Sequence, residues 1–145
     1  MTDHDHAQLE DDGSTFTELM TEVMSTTDHF GHREHVHLTW LAVRRYGVRA
    51  ATTVVSDGIQ RTARYAGNPQ KYHVTMSRAW VELVGHHVLA AAGESFDNFA
   101  ALHAALLDKR LLARFYTSRL LADAAARSGW VEPDLAPFPW RTGAS

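Results

Sequence analysis

Apolar residues recur at steps of three and four along most of this chain, which predicts helices throughout and no strand pair. Phe16, Leu19, Met20, Val23 and Met24 mark one amphipathic helix, with Ser14 or Thr15 to cap it. Ser25-Thr26-Thr27-Asp28 breaks it. A second helix is expected over 30–46, stopped by Gly47, and a third over 48–65 with Ala51, Val55 and Ile59 as its buried line. Asn68-Pro69 is a turn signal. The fourth and longest is expected over 70–92, ended by Gly93, with His73, Ser77, Trp80, Val84 and His87 on one stripe. A fifth, over 94–107, contacts its neighbours through Phe96, Phe99, Leu102 or His103, and Leu106. A helical piece over 111–116 and a last helix over 119–128, closed by Gly129, complete the set.

The ending 130–140 is rich in proline and aromatic residues, so it cannot be helical and is expected to lie as an extended strap over the bundle. Residues 1–13 are acidic and polar and are expected to be a disordered tail. The fold class predicted is all-α: one helical domain, 14–145, of about five to six helices.

The second helix carries the candidate chemistry. His32 and His35 are three apart and therefore neighbours on one face, shared with Val36, Thr39, Val43 and Tyr46. That face is mostly apolar or small, so both imidazoles are expected to point inward. Glu34 and His37 point about 200° away from His32 and His35 respectively. On the fourth helix, His73 and His87 lie about 21 Å apart and cannot share an ion.

The second and fourth helices, separated by the third, should run in the same direction. His32, His35 and His73 all lie near helix starts, so an up-down-up arrangement brings them to one end of the bundle. Three imidazoles there would hold a divalent transition metal (zinc, iron, nickel or copper) with a coordination position left open. Thr39, Tyr72 and Ser77 are the nearby candidates for binding a substrate.

Composition narrows the chemistry further. The chain has 145 residues, 45% hydrophobic and 21% charged, which suits one soluble globular domain. It contains no cysteine, so disulfides, thiolate metal sites and cysteine nucleophiles are excluded. A net charge of −3 without a basic cluster argues against nucleic acid. No run of about 20 apolar residues is present to span a membrane, and the start has no signal-peptide pattern, so a bacterial cytoplasm is the expected location. The His-Glu-x-x-His motif, the phosphate-binding glycine loop and the Gly-x-Ser-x-Gly elbow are absent.

Three segments carry a family resemblance. Phe30, His32, Glu34 and His35 match Phe-x-His-x-[Asp/Glu]-His, and Lys71, Tyr72, His73 and Thr75 match Lys-Tyr-His-x-Thr. Leu111-Leu112, Phe115-Tyr116, Ala126-Arg127, Trp130-Val131 and Pro133-Asp134 form the third. Over about 30–135 the chain therefore resembles a largely uncharacterised family of small all-helical bacterial proteins. Many such relatives have Glu where this chain has Val74. The three-histidine face is also similar, by analogy, to the metal site of the DinB-like helical bundles, although the order and spacing of the histidines differ.

Together these features predict a metal-dependent enzyme acting on a small molecule, with hydrolase, lyase or isomerase chemistry. Two alternatives stay open: a metal or small-ligand carrier or sensor, and a metal-free helical interaction module. A homo-oligomer is compatible with each.

Overall fold

A computed structural model describes residues 14–68, 72–90 and 95–140. The expected tail 1–13, the expected helix start at Gln70 and the expected stop at Gly93 lie outside the described residues. Within them the chain is all-α, a single domain with no strand. In order it forms α1 (Ser14–Val23), α2 (His32–Tyr65), α3 (Val74–Ala90) and α4 (Phe96–Leu102). Two 3-10 turns follow, Ala104–Leu107 and Lys109–Arg114, and then the short α5 (Ser118–Ala122) and α6 (Ala124–Ser128). Among the described residues no helix is long and apolar enough to cross a membrane.

The two helices expected on either side of Gly47 are present, but without a loop between them. Gly47 alone breaks the helical path, at φ 84° and ψ 166°. A left-handed φ of that kind is open to glycine and strained for other residues. No atom crowds the position of its missing Cβ, so the backbone and not the packing calls for glycine here.

The chain doubles back at this point. His35 and Ile59 stand at equal sequence distance before and after Gly47, yet both line one small pocket. An unbroken helix would separate them by about 36 Å. The second half of α2 then runs antiparallel to α3, with Val48 against Gly85 and the Ser56 hydroxyl 3.1 Å from that of Ser77. Helix α3 thus runs the same way as the first half of α2.

The core follows the predicted spacing. Phe16, Leu19 and Val23 of α1 are buried against α2, as are Val36, Trp40 and Val43, then Ala51 and Val55 from its two halves. Trp80, Val81 and Val84 meet them from α3. Phe96 and Phe99 of α4 pack on Trp40, with ring centres 5.5 and 6.2 Å away. The expected fifth helix divides instead: it ends at Leu102, which is exposed, and resumes as the 3-10 turn at Ala104. The expected last helix is interrupted at Asp123, whose extended backbone separates α5 from α6.

After Gly129 the chain has no helix until Pro139. Thr75 ties it to the start of α3, donating to the Gly129 carbonyl and accepting from the Val131 N–H. The Tyr116 hydroxyl donates to Val131, and both the N–H and hydroxyl of Thr117 donate to Asp134. Phe138 is fully buried.

Gly58 allows α1 and α2 to approach closely, because a Cβ there would run into the Phe16 ring. Gly58→Ala gains up to about 1 kcal/mol of helix propensity but must displace that ring, an overpacking cost of about 1–3 kcal/mol. Urea unfolding should therefore show a net loss of stability. An unchanged or higher midpoint would mean that α1 is free to shift.

Candidate functional site

The pocket at the end where α2 and α3 begin has a volume of about 340 Å³. Five of the six residues predicted for a site line it: His32, His35, Tyr72, His73 and Ser77. Ile59, Met76 and Trp80 supply its apolar wall, and Lys109 completes the lining. A larger groove of about 530 Å³ between α1 and the second half of α2 contains none of these groups.

Thr39, the sixth predicted residue, does not line the pocket. It is fully buried, and its hydroxyl donates to the His35 carbonyl one turn back at 2.9 Å. That bond to its own helix occupies the group expected to orient a ligand. Glu34 serves the helix start: its carboxylate accepts from the Gly31 N–H at 2.9 Å.

The three histidines meet different demands. His73 lies just before α3, where the first N–H groups of a helix lack intrahelical partners. Its Nδ1 accepts from the Met76 N–H at 3.1 Å, and its carbonyl accepts from Ser77. It therefore acts as the N-cap, a position normally taken by a small polar residue. With Nδ1 accepting, Nε2 carries the proton and donates to the Leu121 carbonyl at 2.7 Å. Neither ring nitrogen of His73 has a lone pair left for an ion in this arrangement.

His32 uses one nitrogen only. Its Nε2 lies 2.9 Å from the Leu106 carbonyl, which fixes the proton there and leaves Nδ1 as an acceptor. Its ring stands edge-on to Trp80, centres 4.6 Å apart. The backbone of His35 bonds to Gly31 and Thr39, but its imidazole makes no hydrogen bond with any described residue. Burial, and secondarily the neighbouring His32, lower its pKa from the usual 6.5 to about 4. At neutral pH it is thus an uncharged imidazole with a lone pair available to the pocket.

The His32 and His35 rings are nearly parallel, at 15°, with centres 6.4 Å apart. Two imidazoles on one tetrahedral ion, with bonds of about 2.0–2.1 Å, have centres about 5 Å apart. The pair as it stands is therefore about an ångström too open. Among the described residues, no three His, Asp or Glu side chains converge closely enough to hold an ion. The predicted set His32, His35 and His73 shares the pocket but is not arranged as a triad of ligands.

Ile59 belonged to the predicted buried line of its helix and Trp80 to the stripe of His73, whereas Met76 was not singled out by either pattern. Lys109 had no signal in the sequence, since it reaches the pocket from a 3-10 turn far along the chain. Comparison with protein-family models, with curated proteins and with solved structures gave no match.

Two predictions follow from these roles. His73→Ala removes the cap and leaves two backbone groups unpaired, so it should destabilise the fold by about 1–3 kcal/mol in urea unfolding. His73→Asn, which can still cap, should recover part of that loss; equal losses would deny the capping role. The second concerns pH. Between about 4 and 6.5 the unfolded chain binds a proton at His35 that the folded chain excludes, so stability is full above pH 6.5 and falls as the pH drops toward 4. The effect is up to about 3 kcal/mol. His37, also lowered by burial first, adds to the same trend. His35→Leu should flatten the dependence relative to the parent chain, and identical profiles would refute the assignment.

Proposed function

We propose that this chain binds a small molecule in the pocket between α2 and α3, with His35 as the polar group that recognises it. The carrying observation is that the imidazole of His35 is uncharged and unbonded beside the apolar wall, while those of His32 and His73, which share the pocket, are anchored to backbone. The His35 ring is only partly buried and is not among the buried groups left without a partner, so its acceptor is open to the pocket, and a ligand donor would supply the hydrogen bond that the chain does not. A neutral imidazole can also take a proton from a bound ligand, which is the group a general base requires.

A metal-dependent reading has one specific observation in its favour. His32 gives its Nε2–H to a carbonyl and at Nδ1 bonds to no described residue, an arrangement common to metal-bound histidine. If His32 and His35 close by about an ångström, the two could hold zinc, iron, nickel or copper. A metal held there would polarise a ligand oxygen, as hydrolase, lyase or isomerase chemistry uses.

One set of samples tests both readings. Side-chain NMR signals of His35 and Trp80 would be followed during a screen of neutral and charged fragments. Hits should move both signals and be lost in Ile59→Trp, which fills the pocket. A screen in which no fragment moves them would overturn the binding reading. In parallel, elemental mass spectrometry on untagged protein after offering each of the four metals should find near-stoichiometric ion if the metal reading holds. That ion should be lost in His32→Ala and His35→Ala but retained in His73→Asn. No bound metal would eliminate that reading and leave the first standing.

A further inference from the structure

The pocket also carries information on the class of its ligand. No described carboxylate lines it, and Lys109 is its one Lys or Arg. Lys109 is exposed at the rim, whereas His35 is set back in the first turns of α2. The cations and anions beside Lys109 are already matched: Asp108 accepts from the Arg110 side chain at 3.0 and 3.2 Å. Lys109 itself is in no ion pair among the described residues.

Ile59, Met76 and Trp80 line the same pocket as these two groups. A cavity of about 340 Å³ corresponds to about eleven water volumes at roughly 30 Å³ each, the space of a ligand of about a dozen non-hydrogen atoms. Two of its polar groups therefore differ in kind: an exposed positive charge at Lys109 and a half-buried acceptor at His35.

We infer that the pocket takes a small carboxylate with an apolar, aromatic-sized body and a hydrogen-bond donor at the opposite end. The carboxylate meets the Lys109 ammonium, the body lies against Trp80 and Met76, and the donor reaches the imidazole of His35. This inference rests on the pocket being a binding site, as proposed above. The net charge of −3 gives no general attraction for anions, so any preference for the acid must come from local charge. Because Lys109 is solvated, that preference is modest, and screening by salt should reduce it.

The test uses 4-hydroxyphenylacetate, its neutral amide 4-hydroxyphenylacetamide, and phenylacetate, which lacks the donor. Affinities are read by titration with the full chain at low and high salt. The acid should bind about two- to five-fold more tightly than its amide at low salt, the range an exposed charge pair supplies. Lys109→Gln should equalise the two without changing the thermal midpoint, since the side chain is exposed. Phenylacetate should bind more weakly than the hydroxylated acid, and His35→Leu should abolish that difference.

Equal binding of acid and amide would overturn the role of Lys109. Equal binding of the two acids would overturn the role of His35 as acceptor. Neutral fragments that occupy the pocket while none of the three probes binds would overturn the ligand class and leave the binding site intact. If neither fragments nor probes bind, both proposals fall.

Discussion

The reversal at Gly47 is the constraint on which the arrangement of this protein depends. A 34-residue helix without it would be a rod of about 51 Å, with His35 and Ile59 far apart. A single residue with φ near 84° instead folds α2 into two antiparallel halves. Helix α3 then packs antiparallel to the second half and therefore runs parallel to the first. Two helix starts come to the same end of the bundle as a result, and the residues near those starts share one pocket. The sequence distance between His32 and His73 is thus bridged by topology and not by any direct bond.

Bringing helix starts together has a cost that the histidines help to meet. The first N–H groups of a helix have no partners within it, and the nearby irregular segments expose carbonyls. His73 answers one N–H and one carbonyl, His32 one carbonyl, and Thr75 one of each. An imidazole that accepts at one nitrogen and donates at the other suits such a junction, because it joins two backbone segments at once. The same bonds consume the lone pairs that a metal would require. Backbone satisfaction and ligation compete for these rings, and at His73 backbone satisfaction prevails.

Much of the fold was legible in the spacing of apolar residues. Phe16, Leu19 and Val23 face the core as their period predicts, and Gly47 breaks the helix where expected. The up-down-up order placed His32, His35 and His73 together because it depends only on helix count and direction. What the spacing could not show was the capping of α3. Helical periodicity treats His73 as a residue inside the helix, whereas it lies immediately before the first helical residue, Val74, and that shift of the helix start converts a candidate ligand into a structural cap. Thr39 was misread for a related reason: its position on the helix face was right, but a β-branched hydroxyl inside a helix bonds most readily to the carbonyl one turn back. Lys109 was invisible because its approach depends on a long-range packing that no local pattern encodes.

His35 is the residue that these structural duties leave over. Its ring is neither a cap nor a tie, and its surroundings disfavour its charged form. A leucine in its place would fill the same apolar wall without an unbonded acceptor, and would lower no part of the stability below pH 6.5. Stability alone therefore gives no reason for an imidazole at this position. Sequences that specify a fold tend to break their local rules at sites with another purpose. The adjoining cavity is large enough for a ligand, and its rim carries a charge that does no structural work, so the same reasoning extends from one side chain to the pocket around it. Where a half-buried imidazole satisfies nothing in its own chain, the partner it fits is most simply sought in the space it faces.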